Sequence, residues 1–226
     1  MANSVPRQRW RLVLARVTGA PEALAEEPGD PWERTLLASG LPLFRGSGGG
    51  RARIAWGAPL PVRMATEREP AEIVLTEVLP IWRVRAGLEA NLPAGWLLVD
   101  LYDVWLGAPA LAGRVTGAIY RVTLDVDADA GAIASTVGTL LAAKELVRTR
   151  LKGGREVSYD LRPLIESIDV AQGGPPVVIR MATRIHPERG SGRPDEILAA
   201  LADTLGCPIV AGPIVRERVI VAGETD

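Results

Sequence analysis

Apolar and polar positions along the chain change period several times, and each change marks an element. Trp10, Leu12 and Leu14 alternate with Arg9 and Arg11, the pattern of a half-buried strand. Asp30-Pro31-Trp32-Glu33 opens a helix. Asp30 is placed to cap it, Pro31 suits its first turn, Leu36 and Leu37 continue its apolar face, and Gly40 stops it. A short strand at Ala52–Trp56 ends at Pro59-Leu60-Pro61, and Ala71–Glu77 forms another. Pro80 opens a helix with Ile81, Val84, Leu88 and Leu92 on one side. Leu97, Val99 and Leu101 share one face of a closing strand. The order is βαββαβ.

After a weakly patterned stretch, Gly107–Gly117, the order recurs. Tyr120, Val122, Leu124 and Val126 alternate with Arg121, Thr123 and Asp125 as a strand, and Ile133, Val137, Leu140 and Leu141 have helical spacing. Glu145–Leu151 and Glu156–Leu161 flank Gly153-Gly154, which favours a hairpin with a primed turn. Ile165–Val170 and Val177–Ala182 are strands, and Arg184–Arg193 reads as a polar loop. Pro194-Asp195-Glu196 opens a helix whose stripe is Ile197, Leu198, Leu201 and Leu205, and Ile214–Val221 closes the chain. With the hairpin set aside as an insertion, the order is again βαββαβ. The expectation is an α+β protein of two tandem ferredoxin-like halves, 1–110 and 111–226.

Two segments, Arg155-Glu156-Val157-Ser158-Tyr159-Asp160-Leu161-Arg162-Pro163-Leu164-Ile165 and Gly190-Ser191-Gly192-Arg193-Pro194-Asp195-Glu196-Ile197-Leu198, carry a family resemblance. With Gly40-Leu41-Pro42-Leu43, Pro59-Leu60-Pro61-Val62 and Ala118-Ile119-Tyr120-Arg121-Val122, they resemble the radical-SAM-linked protein family of bacteria. The resemblance implies a radical-SAM protein as partner. It is looser in the first half. Where the family carries histidine, asparagine and aromatic positions, this chain reads Ala23-Leu24-Ala25-Glu26-Glu27-Pro28-Gly29-Asp30 and Phe44-Arg45-Gly46-Ser47-Gly48-Gly49-Gly50. Asp160, Arg162, Pro163, Pro194, Asp195 and Glu196 belong to these family-like runs and read as structural; an internal Asp160–Arg162 ion pair fixing the turn at Pro163 is expected rather than catalysis.

Charge narrows the function. The 226 residues have a formal net charge of −1, so a generic nucleic-acid coat is disfavoured and no DNA partner is expected. One cysteine, Cys207, and one histidine, His186, exclude a Cys/His zinc site, an iron–sulfur cluster and a disulfide framework. No metal and no cofactor are expected. His186, before Pro187, reads as an exposed loop residue. Without an apolar run long enough for a membrane span or a leader, the reading is cytoplasmic with no membrane partner.

The cations are almost all arginine, suited to bidentate contacts with phosphate or carboxylate. Two loops concentrate them. Arg45, Arg51 and Arg53 flank a glycine-rich turn that lacks the Gly-Lys-Ser/Thr of a P-loop. Arg189, Ser191, Gly192 and Arg193 precede a helix N-terminus, where they either receive an anion or pair with Glu188, Asp195 and Glu196. Trp10, Trp56 and Trp96 read as core or cleft wall. The leading expectation is a non-catalytic binding or accessory protein, working with a radical-SAM partner near RNA or ribosome-linked processes. An endoribonuclease-like RNA-processing enzyme and a purely structural protein-binding adaptor are the alternatives.

Overall fold

The computed structural model describes residues 5–17, 29–46, 50–126, 128–171 and 176–224. The protein is mixed α+β and divides into two compact units, Met1–Val115 with Val221–Asp226, and Thr116–Ile220.

The first unit contains β1 (Gln8–Arg16), α1 (Gly29–Ala38), β2 (Ala55–Trp56), β3 (Ala65–Leu75), α2 (Ile81–Glu89), β4 (Trp96–Val104) and a 3₁₀ turn at Leu111–Arg114. The strands pair antiparallel in the order β4–β1–β3–β2. Register sets Leu12 between Ala71 and Leu101, and Trp10 beside Ile73. These residues, with Leu14 and Leu75, bury the face that shares its core with Trp32 and Leu36 of α1 and Val84 and Leu88 of α2. Trp32 meets Trp56 and Trp96 edge-on, at ring centroid distances of 6.2 and 5.6 Å. The side chain of Asp30, expected to cap α1, lies outside the described residues.

Four expectations need correction here. β1 is not half-exposed: Arg11 is fully buried and ion-paired with Glu72, its neighbour on β3, and with Glu224. β4 does not keep Leu97, Val99 and Leu101 on one face. Val13 is opposite Asp100 and Leu14 opposite Leu98, so Val99 is an extra residue in a bulge. The bulge changes the alternation, and Leu101 is buried while Leu97 and Val99 are exposed. β3 begins six residues before the expected Ala71 and runs through Pro70, whose carbonyl still accepts from Gly57 N at 3.1 Å. β2, in turn, is two residues long rather than five.

The second unit contains β5 (Val115–Asp125), α3 (Ala130–Ala142), a hairpin of β6 (Val147–Lys152) and β7 (Arg155–Asp160), and a 3₁₀ turn at Arg162–Leu164. It continues with β8 (Ile165–Val170), β9 (Val177–His186), β10 (Gly190–Ser191), α4 (Pro194–Leu205), β11 (Val210–Ala211) and β12 (Val215–Val221). Its main strand order is β8–β9–β5–β12. The hairpin forms a separate two-stranded sheet, with Lys152 opposite Arg155. Gly153 and Gly154 have φ of 58° and 77°, the primed turn that their identity requires. Asp129 caps α3 by accepting from Ala132 N at 2.7 Å, and Gly206 closes α4 at φ 75°. The segment expected as a polar loop, Arg184–Arg193, holds the end of β9 and all of β10.

Candidate functional site

The first unit has a cleft of about 490 Å³ whose lining includes Arg9, Arg45, Arg51, Arg53, Trp56 and Glu72. Its walls are fixed by the end of β3. Phe44 N donates to Val74 O at 2.8 Å and Thr76 N to Pro42 O at 2.7 Å, which ties the segment carrying Arg45 to the sheet. Ala55 pairs with Glu72, which places Arg53 beside the same strand. Gly46, at φ 77°, turns the chain where a side chain would be strained.

The four guanidiniums differ in what they already bind. Arg9 donates to Ala108 O at 2.8 Å. Arg51 reaches Glu33 at 3.4 Å, but it is 78% exposed, so that pair is weak. Arg45 and Arg53 make no hydrogen bond or ion pair with the described residues. The cleft's one carboxylate, Glu72, is held from behind by Arg11 Nη2 at 2.8 Å. An anion entering the cleft therefore meets two uncommitted guanidiniums, a third that is loosely held, and no free carboxylate.

Behind Glu72 is a charge network that reading the sequence missed. Arg11 Nη1 donates to both oxygens of Glu224, at 2.9 and 3.0 Å, and Arg114 approaches the same carboxylate at 3.1 Å. Burial opposes the Arg11 charge, but the Glu72 hydrogen bond and the two carboxylates win and raise its pKa above the ordinary value. The available signal was a cation on the polar side of one strand and an acid on the polar side of another. Register alone makes them partners.

Tyr102 lies in the same cross-strand row, opposite Arg11. Burial raises its pKa, the Glu224 carboxylate adds to this, and Arg11 offsets part of it. An acid whose folded pKa is raised ionises first in the unfolded chain. Stability should therefore fall as pH rises above the ordinary tyrosine value of about 10. Glu224→Gln should lower the Tyr102 titration midpoint, which phenolate absorbance reads directly. An unchanged or higher midpoint would reject the assigned cause.

In the second unit, Arg189 and Arg193 are exposed and their guanidiniums make no hydrogen bond or ion pair with the described residues, so the alternative pairing with Glu188, Asp195 or Glu196 is not formed. Glu196 instead faces Arg148, 3.6 Å away, which also binds Asp203 at 2.5 Å and so pins the hairpin to α4. Ser191 pairs with Ile185, and Gly192 N donates to Arg184 O at 3.0 Å, so that amide is already committed. Arg150 stacks over Tyr159, its guanidinium carbon 4.7 Å from the ring centroid. Burial and Glu196 raise the Tyr159 pKa, while Arg150 and Arg193 lower it. His186 Nδ1 accepts from the amides of Glu188 and Arg189 at 3.2 and 3.3 Å, which shapes the turn they form.

The Asp160–Arg162 ion pair is not formed. Asp160 Oδ1 accepts from Leu146 N and Arg162 N, at 2.8 and 3.0 Å. The Arg162 guanidinium donates to Leu141 O and Ile165 O, at 2.9 and 3.1 Å. Both side chains serve backbone groups at the junction of α3, the hairpin and β8. Pro163 lies in the 3₁₀ turn and Leu161 and Leu164 beside it are buried. Pro194 is buried at the start of α4, with Asp195 and Glu196 completing its first turn, where negative charge complements the dipole.

Among the described residues no group of three or more His, Cys, Asp or Glu is placed to hold a metal ion. No described helix is long and apolar enough to cross a membrane.

No curated protein matches the sequence. Among solved structures, the chain is similar to one chain of a Cbf5-Nop10-Gar1 complex, with 11% identity and a TM-score of 0.50, over 93% of this chain. It spans about half of that chain, 48%, and the likeness is one of fold. A putative glycine cleavage system transcriptional repressor aligns at 10% identity and a TM-score of 0.25, over 93% of this chain and 98% of its own. A protein from Galdieria sulphuraria aligns at 14% and 0.24, over 95% and 99%. The profile of a bacterial family described as uncharacterized conserved proteins, DUF2344, matches residues 34–194, more than half of the chain, and the protein belongs to that family.

Proposed function

We propose that this protein is a non-catalytic binding or accessory protein that works with a radical-SAM partner, and that the arginine cleft of its first unit receives the phosphates of single-stranded RNA. The observation that carries the ligand is the pair of unpartnered guanidiniums, Arg45 and Arg53, on one cleft with Arg51. Arginine without a carboxylate partner is the group suited to bidentate phosphate contacts. The partner follows from the family resemblance of Arg155–Ile165 and Gly190–Leu198. The strand orders β4–β1–β3–β2 and β12–β5–β9–β8 favour reading each unit as a ferredoxin-like sandwich, with the hairpin inserted before β8. His186 supports the non-catalytic reading, since its Nδ1 already serves two backbone amides.

Titrating single-stranded RNA at several salt concentrations tests the ligand. Each neutralised phosphate contributes about −0.7 to the slope of log affinity against log salt, so three arginines give about −2. Arg45→Ala with Arg53→Ala should flatten the slope to roughly −0.7. No affinity at low salt, or a slope untouched by the two substitutions, would reject the cleft as the site. Co-expression with a radical-SAM protein of the same organism tests the partner, with separate elution counting against it.

A further inference from the structure

We propose that the outer edge of β4 is a docking site for an extended basic segment of a partner protein, which joins the first unit's sheet as an added strand. Among the described residues β4 pairs with β1 alone, so its nine residues leave one row of amides and carbonyls open. Exposed strand edges of this length template further pairing unless they are blunted. This edge has no proline and no lysine; the bulge at Val99 is its one irregularity, and it exposes apolar side chains beside its two aspartates: Leu97 is 54% exposed, Val99 44% and, just beyond the strand, Trp105 78%. An adding strand gains main-chain hydrogen bonds along the edge and side-chain contacts with Leu97, Val99 and Trp105.

Charge selects the occupant. Between Trp96 and Trp105 the only ionised side chains are Asp100 and Asp103, with no lysine or arginine. Asp100 is exposed, and its Oδ1 accepts from Leu101 N at 2.8 Å, which holds the carboxylate at the bulge. A second copy of the chain fits poorly. Full antiparallel pairing of β4 with itself sets Trp96 opposite Val104 and therefore Asp100 opposite Asp100, a like-charge cross-strand pair. A segment alternating basic with apolar residues sets a basic residue beside Asp100 on one face; Asp103, three residues on and so on the other face, already accepts from Gln8 Nε2 at 2.8 Å. The inference is independent of the arginine cleft, which a basic segment would avoid.

A synthetic peptide as long as β4, alternating arginine with valine, is the probe, with amide hydrogen exchange resolved by residue as the readout. Expected are slowed exchange of the outer β4 amides and no protection when alternate peptide amides are N-methylated. Asp100→Asn keeps an acceptor for Leu101 and removes the charge. It should weaken binding by up to about fivefold, the upper end for one cross-strand charge pair. Three results would each overturn the proposal: equal binding of a peptide alternating glutamate with valine, protection confined to other elements, or sedimentation as a dimer whose dissociation exposes β4.

Discussion

Arg11→Met should destabilise the first unit by about 3–5 kcal/mol, the range for breaking a buried ion pair by removing one partner. Arg11 is fully buried and Glu72 nearly so, and the guanidinium holds Glu72 and Glu224 together. Methionine fills similar space but leaves the Glu72 carboxylate out of water with its main partner gone. Glu224, a third exposed and still beside Arg114, suffers less. Adding Glu72→Leu to Arg11→Met should restore most of the loss, since an apolar pair of similar volume leaves no stranded charge. Denaturant unfolding followed by circular dichroism measures both. A loss below about 1 kcal/mol, the value of an exposed pair, would mean the network is solvated.

Gly192→Ala and Gly117→Ala should each destabilise the second unit by about 3 kcal/mol, the upper end of ordinary overpacking. A Cβ on Gly192 would lie 2.5 Å from Leu164 O and 2.9 Å from Thr183 Cβ. One on Gly117 would strike the carbonyl oxygen of the same Thr183. Backbone atoms cannot rotate aside as side-chain ends can, so β5, β9 or the 3₁₀ turn must shift. A drop in melting temperature on the order of 10 °C is expected for a unit of this size. The glycine in the Gly190-Ser191-Gly192-Arg193 run thus has a packing reason that does not involve a ligand. Unchanged melting in both variants would remove that reason.

Local chemistry was legible where one residue decides the conformation. Gly153-Gly154 specified its turn, Pro80 the start of α2, and Gly206 the end of α4. The errors came where a neighbour decides. Alternation in β1 says that two faces differ, but not that the polar face is open. Arg11 is buried because Glu72 and Glu224 arrive from positions far along the chain. The bulge at Val99 shifts the periodicity by one residue with no proline or glycine to announce it. The strand expected from Ala71 starts at Ala65, since a strand can carry a proline, here Pro70, while its carbonyl stays paired. For the cleft, Arg45, Arg51 and Arg53 were visible as a cluster. The contribution of Arg9 depended on how the end of β3 is paired. The turn made by His186 could not be foreseen from its neighbours in sequence.

All six tryptophans, Trp10, Trp32, Trp56, Trp82, Trp96 and Trp105, belong to the first unit, whereas two of the three tyrosines, Tyr120 and Tyr159, belong to the second. Indole emission, excited at the red edge where tyrosine does not absorb, therefore reports on one unit only. The packed trio of Trp32, Trp56 and Trp96 should add an exciton signature in the near-ultraviolet that vanishes when that core loosens. The molecule thus carries its own optical label on one of its two units, and the order in which they melt can be followed without attaching a dye.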